Sequence, residues 1–337
     1  MEMCLYFPEL GYYTSVSDKI GKNGDYFTSP TFSPVFGELI GKQLEEMWNV
    51  LEQKPFTIVE YGAGTGALCA AILGYLKNNQ KLYNELHYCI IEKSLVMREK
   101  QKIHLNEKVS WYDSIKSIPE INGCVLSNEL VDNFSVHQVV MKNELMEVFV
   151  DYNNGFIELL EPAKKELIDY MTELKVDLTN EFRTEINLEA IKWIKEIAEY
   201  LKKGYVLTID YGYPSFELYN EYRGYGTLMC YNKHKTNNKP YHNIGAQDIT
   251  SHVNFSALCL WGFKNGLQYS GFTDQSRFLS ALGFKDHIKT KEIPGQDYFN
   301  FKNETNLTQT LIKEMGSKFK VLIQHKNTPE YKLMGLS

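Results

Sequence analysis

The chain has 337 residues and a formal net charge of −6, a balance that offers no basic footprint for nucleic acid. Its 43% hydrophobic and 23% charged content is that of a globular protein with core enough for one large domain or two. No apolar run reaches the roughly 20 residues of a membrane span, so neither nucleic acid nor a bilayer interior is an expected partner.

Residues 5–36 read as a glycine-punctuated loop, with Gly11-Tyr12-Tyr13 followed by Gly21-Lys22-Asn23-Gly24-Asp25-Tyr26-Phe27-Thr28-Ser29-Pro30. A long irregular entry of this kind is uncommon in a compact domain and is often functional when ordered. From Ser33 to Leu51 the pattern turns helical. Pro34 sits in the first turn, and Phe36, Leu39, Ile40, Leu44, Met47, Trp48 and Leu51 share a face.

Phe56 to Val59 is a short apolar run bounded by Pro55, as a buried parallel strand should be. Glu60-Tyr61-Gly62-Ala63-Gly64-Thr65-Gly66 then leads into a helix over Ala67 to Leu76. The alternating glycines let a backbone approach a ligand closely, and the helix amides face the loop. The letters Gly62-x-Gly64-x-x-Ala67 also fit a dinucleotide fingerprint. Glu60 argues the other way, because a carboxylate before the first glycine repels a pyrophosphate and suits a cation. S-adenosylmethionine carries an ammonium and a sulfonium. A turn without a ligand is the structural alternative.

A second strand, His87 to Glu92, precedes a helix from Ser94 to about His104. Glu92 closes that strand, where an acid can accept from ribose hydroxyls. Val109 to Trp111 is a third strand, followed by Tyr112-Asp113-Ser114. Gly123 to Ser127 is a fourth, from which Asn128-Glu129-Leu130-Val131-Asp132-Asn133 departs. Residues 137–160 alternate as a small meander with Asn153-Asn154-Gly155 as a hairpin turn. Helical stretches at 163–174 and 187–202 lead to a fifth strand, Gly204 to Gly212, holding Asp210. The alternation predicts an α/β fold with a doubly wound sheet, whose ligands bind beyond the strands' carboxyl ends.

Residues 213–283, rich in glycine, tyrosine and polar residues, read as a cap over that edge. Asp248 to Phe255 looks like a helix start or strand entry. Phe272 to Leu282 looks like a small helix ending at Gly283. Lys318 to His325 and Tyr331 to Leu336 read as closing strands. The expected organisation is an N-terminal loop and helix (1–52), a core (53–212), a cap (213–283) and closing strands (284–337).

Cysteines 4, 69, 89, 124, 230 and 259 are scattered without a C-x-x-C and read as reduced thiols. Met1-Glu2-Met3-Cys4 lacks a signal-peptide pattern, and no Arg- and Ser-rich leader follows, so the expected location is cytoplasmic. None of the eight histidines forms an H-x-x-x-H or a cysteine–histidine set, so no metal is expected.

Several pieces together resemble one family. Gly11-Tyr12-Tyr13, Gly24 to Pro30 and Phe36-Gly37-Glu38 are similar to its "GYY … GDFxTSP … FGE" opening. Glu60 to Leu68 resembles "ELGPGxGTL", Asn128-Glu129-x-x-Asp132 resembles "NExxDxxP", and Ile209 to Gly212 resembles "iDYG". Gly226-Thr227-Leu228, His234 and Gly245-x-x-Asp248-Ile249-Thr250-x-His252-Val253-x-Phe255 resemble "GTL … H … GxxDiTxhVdF". This is the MidA-type family, whose mitochondrial members are complex I assembly methyltransferases acting on a protein arginine. The match runs in order across nearly the whole chain. It departs at Ala63, Thr31-Phe32-Ser33 and Ser135.

The resemblance implies a class I methyltransferase (Rossmann-like) sheet with S-adenosylmethionine as cofactor and a protein substrate. Cofactor contacts are expected from Glu60, Gly62, Gly64, Gly66, Glu92, Asp113 and Ser114, with Asp25, Thr28 and Ser29 folding over from the N-terminal loop. Glu129 and Asp132 are expected to hold a target amine or guanidinium that Asn128 orients, since paired carboxylates grip a guanidinium in a fork. The alternatives are an NAD-dependent oxidoreductase using the same loop, and a non-catalytic assembly factor retaining the fold.

Overall fold

The computed structural model describes residues 1–15, 19–21, 24–26, 28–105, 108–291 and 296–337, with the backbone alone over 297–301. Lys22, Asn23 and Phe27 of the N-terminal motif lie outside the described residues.

The first four strands are β1 (Phe56–Tyr61), β2 (Leu86–Ile91), β3 (Val109–Tyr112) and β4 (Ile121–Asn128). An antiparallel insertion follows, made of β5 (His137–Met141), β6 (Leu145–Tyr152), β7 (Phe156–Pro162) and β8 (Arg183–Ile186). The long β9 (Leu201–Tyr213) returns to the main sheet. A smaller sheet holds β10 (Met229–Asn232), β11 (Lys235–Asn237) and β12 (Asp248–Thr250). β13 (Val253–Asn254) pairs with the end of β9, and β14 (Gln268–Asp274) and β15 (Phe319–Lys326) complete the main sheet.

That sheet runs β14-β15-β9-β4-β1-β2-β3, parallel from β9 to β3 and antiparallel at β14 and β15. Its strands are apolar on both faces because helices cover both. Ile58, Tyr88, Leu126, Leu207 and Ile209 pack on one face beneath the helices Pro34–Val50 and Ala67–Leu76. Val59, Cys89, Val125, Val206 and Leu322 pack on the other, beneath Leu188–Tyr200 and Phe255–Lys264. Neighbouring residues serve opposite faces, as the two-residue period of a strand requires. From β1 the chain winds outward to β3 and then returns to the far side of β1 as β4. Strand order therefore reverses between β1 and β4, where doubly wound sheets open a ligand crevice.

The insertion has order β7-β6-β5-β8, and the helix Lys165–Glu173 packs on one face through Leu167, Tyr170 and Met171. The N-terminal segment packs on the β10–β12 sheet through Leu5, Tyr12, Cys230 and Ile249.

Several local expectations change. Ser29–Phe32 is a short helix within the stretch read as loop, and a second, Glu2–Tyr6, runs into its start. Phe272 to Asp274 belongs to β14, and the helix starts at Gln275 because the Asp274 carboxylate accepts from the Arg277 N–H (2.9 Å). Asp248 to Phe255 holds both predicted forms: two short strands, then a helix capped by Asn254 (3.1 Å to the Ala257 N–H). Tyr331 to Leu336 is not a strand. Its end is a 3-10 turn, Met334–Leu336, whose amides donate to side chains: Met334 to Glu46 (2.9 Å) and Gly335 to Gln43 (3.0 Å). With its amides satisfied from the helix Pro34–Val50, this stretch has no sheet edge to join. Between Gly283 and β15 lie the helices Phe284–Lys289 and Asp297–Leu307 and a π-helical turn, Thr308–Glu314.

Candidate functional site

The crevice between β1 and β4 opens into a cavity of about 1100 Å³. Its floor at the β1 end is the glycine turn. Gly62 has φ 66°, and a Cβ there would meet Leu130 Cδ1 at 2.7 Å, so no other residue fits without displacing Leu130. Gly66, also left-handed, is the N-cap of the helix Ala67–Leu76.

Two acids face this turn. Glu60, buried at 2% exposure, accepts from the Tyr88 hydroxyl (2.7 Å), and burial pushes its carboxyl up to about 7. Glu92 closes the space past β2. Its Oε2 accepts from the Gly64 N–H (3.3 Å) and Gln101 Nε2 (3.1 Å), and its Oε1 accepts from the Ser94 N–H (3.0 Å). Burial raises Glu92 as well, against those donors. Gln101 also donates to the Gly64 carbonyl (2.8 Å), so one glutamate and one glutamine fix the turn. Two acids on a cradle with no Cβ at Gly62 and Gly64 fit a cationic ligand and oppose a pyrophosphate.

Asp113 lines the cavity rim. Its carboxylate is exposed and bridges to Arg98 (2.8 Å), which also donates to the carbonyls of Glu92 and Tyr112. Ser114 does not line the cavity; its Oγ accepts from the Lys116 N–H (3.3 Å).

The β4 end is built differently. Asp210, at the end of β9, accepts at Oδ2 from the amides of Leu130 (3.1 Å), Val131 (2.9 Å) and Asp132 (3.4 Å). This folds the chain back sharply after Asn128. The turn places Glu129 in the left-handed region (φ 51°), a strained position for a side chain of this size. Glu129 Oε1 accepts from the Ser29 N–H (3.2 Å) and from Asn128 Nδ2 (3.2 Å). Asn128 Oδ1 is buried and receives no donor from the described residues. Asn128 and Glu129 both line the cavity, whereas Asp132 is buried behind them, bonded to the Tyr211 hydroxyl.

Asp248 completes the acid group. Its Oδ1 lies 2.9 Å from the Tyr13 hydroxyl and accepts from Asn133 Nδ2 (3.1 Å). The Tyr13 hydroxyl is also 3.0 Å from that of Tyr26. Burial and neighbouring carboxylates push Glu129 and Asp248 up to about 8 and raise Asp210 too, and burial alone pushes Asp132 up to about 7. Among the described residues, no ion pair involves any of the four. Such a cluster must hold protons or receive a cation.

The N-terminal residues divide. Thr28 lines the cavity while sharing a capping box with Thr31. Ser29 reaches the site through its amide, on Glu129. Asp25 braces the segment: it accepts from the Tyr12 hydroxyl (2.7 Å) and the Lys233 N–H (2.6 Å), away from the cavity lining. Tyr13, Tyr26, Asn133 and Asp248 were not singled out from the sequence as site residues. Tyr13, Tyr26 and Asp248 stand inside the quoted motifs, which was the available signal. His252, in the same motif, is half-buried, and desolvation lowers its pKa to about 4; His137 bonds to Glu147 (2.6 Å).

A family model described as S-adenosyl-L-methionine-dependent methyltransferases matches residues 39–273. The chain is 26% identical to a Drosophila melanogaster protein named protein arginine methyltransferase NDUFAF7 homolog, mitochondrial, over 96% of this chain and 79% of that one. It is 25% identical to the Homo sapiens protein arginine methyltransferase NDUFAF7, mitochondrial, over 95% of this chain and 77% of that one. A crystal structure from Burkholderia thailandensis, bound to S-adenosyl-homocysteine, superposes with a TM-score of 0.87 at 29% identity, covering 100% of this chain and 87% of that one. The oxidoreductase and non-catalytic alternatives find no support in these likenesses. The cytoplasmic location is corrected by them, because the named relatives are mitochondrial proteins. No helix among the described residues is long and apolar enough to cross a membrane.

Proposed function

Because this chain belongs to the family of S-adenosyl-L-methionine-dependent methyltransferases, methyl transfer from that cofactor is its reaction, and we propose that the acceptor is a protein side chain, an arginine guanidinium presented to Asn128 and Glu129. The carrying observation is the group of four acids at the cavity, three of them fully buried, with no counter-ion among the described residues. A guanidinium stays protonated in water and matches a carboxylate and an amide oxygen with its fork of N–H donors. The relatives' printed names support the same acceptor.

The glycine turn from Gly62 to Gly66 would cradle the cofactor. Glu60 faces its positive charge, Glu92 takes ribose hydroxyls, Asp113 stands on the adenine side, and Asp25, Thr28 and Ser29 hold the N-terminal segment across it. Bound there, S-adenosylmethionine supplies the methyl group. The chain's own work is at the acceptor. Asn128 Oδ1, which lacks a donor among the described residues, accepts one guanidinium N–H. Glu129 accepts another and takes the proton that N-methylation must release. Asp132 acts from behind, its charge keeping Glu129 basic. Ser29 positions Glu129 through its amide.

Methyl-labelled cofactor incubated with the enzyme and a mitochondrial protein fraction, followed by hydrolysis and amino-acid analysis, tests this reading. Label in methylarginine is expected. Label in another residue or in a small molecule, with cofactor binding intact by calorimetry, overturns the acceptor.

A further inference from the structure

The insertion sheet ends in a strand whose protection is limited to two glutamates, a terminal proline and one side chain, Tyr241, which stacks on Phe156 (5.9 Å) and donates to Glu158 (2.8 Å). β7 reads Phe156-Ile157-Glu158-Leu159-Leu160-Glu161-Pro162 and pairs only with β6 among the described residues. It has no lysine and no interior proline, and Phe156, Ile157, Leu159 and Leu160 are 38–45% exposed. Edge strands left apolar and open in this way template pairing with another strand.

The register with β6 shows which backbone groups are available. The Ala163 N–H donates to the Leu145 carbonyl and the Asn153 N–H to the Gly155 carbonyl (both 2.9 Å). In an antiparallel ladder this makes Ala163, Glu161, Leu159, Ile157 and Gly155 the residues bonded inward. The outward groups therefore belong to Phe156, Glu158, Leu160 and Pro162. Proline stands where its missing N–H would face out, so the β6 ladder loses nothing.

These groups match their own copy. A dyad between antiparallel strands must pass through a residue, since adjacent residues face opposite sides of the sheet. A dyad at Glu158 or Glu161 sets acid opposite acid, which is destabilising. One at Ile157 runs Leu160 into the hairpin turn at Asn154. One at Leu160 sets Phe156 opposite residue 164, so its N–H runs past the end of the partner's strand at Pro162. A dyad at Leu159 sets Glu158 opposite Leu160 and Phe156 opposite Pro162. Every outward N–H of one copy then meets a carbonyl of the other, and no like charges face each other.

We propose that two copies of this chain pair through β7 about a dyad at Leu159, joining their four-stranded sheets into one continuous sheet. Leu159 is a non-hydrogen-bonded pair with itself across that dyad. Its two Cα atoms then lie about 4.5 Å apart, within the span a disulfide bridges.

Sedimentation equilibrium of the unmodified chain should return twice the chain mass. Leu159→Cys should form an intermolecular crosslink under mild oxidation that the unmodified chain, with its native cysteines, does not. Leu159→Lys should raise the dimer dissociation constant by at least about 100-fold while cofactor binding is unchanged. A monomer across the accessible concentration range overturns the proposal, including one that captures only a foreign strand. So does a dimer that neither crosslinks at position 159 nor weakens with lysine there.

Discussion

The two ends of the cavity handle buried negative charge in opposite ways. At the β1–β2 end, Glu92 is met on both oxygens by donors of the chain and serves to fix the glycine turn. At the β4 end, Glu129, Asp132, Asp210 and Asp248 lie within each other's fields, and Glu129 sits on a strained backbone. The first end is assembled before anything binds. The second is left electrostatically unfavourable, and a cation relieves it. Rigidity suits a ligand that is the same at every turnover. Unrelieved charge suits an acceptor whose positive head must be drawn into the site and then lose a proton.

Four experiments bear on that contrast. The largest effect is expected from Glu129→Gln, which removes the proton acceptor and keeps the shape. The methylation rate should fall by about 100-fold or more, with the cofactor dissociation constant unchanged by calorimetry. Equal loss of cofactor binding would mean that the two ends are not separable. Next, Glu92→Ala should weaken cofactor binding by about 10- to 100-fold, because the turn loses its brace. A loss confined to the rate, with affinity intact, would reverse the assignment of the ends.

The third concerns pH. Glu129 and Asp248 are raised to about 8 in the folded chain from ordinary values of 4.5 and 3.8. The folded state then holds protons that the unfolded chain has already lost. Stability should fall as pH rises from about 5 to about 8. Melting temperatures at pH 6 and pH 8.5 measure this, and Asp248→Asn should flatten the difference. A melting temperature that climbs over that interval would show the acids to be compensated after all. The smallest effect is expected from Asp113→Asn. Its carboxylate is exposed and paired with Arg98, so cofactor affinity should change by less than about 3-fold.

What was legible early was local. The β1 run, the glycine spacing and Glu60 lie within a dozen residues, and their periodicity and backbone demands gave both the strand–turn–helix and the charge preference of its ligand. The predicted ends of the helix Ala67–Leu76 match the structure for the same reason. The Asn128-Glu129-x-x-Asp132 pattern pointed to paired acids on a helical turn. The turn that forms, Val131–Asn133, is 3-10, and Asp132 faces inward while Glu129 faces the cavity. A short tight turn held by Asp210 has no side-chain periodicity that a pattern search could use.

The sequence by itself therefore determined the fold class, the cofactor-side turn and the residue types at the acceptor. Tertiary structure alone decided who meets whom. The Ser29 amide reaches Glu129 across 100 positions, and Tyr13 reaches Asp248 across 235. Whether a carboxylate is braced or left uncompensated depends on burial and on donors from distant segments. Those are properties of packing, and no local stretch of residues encodes them.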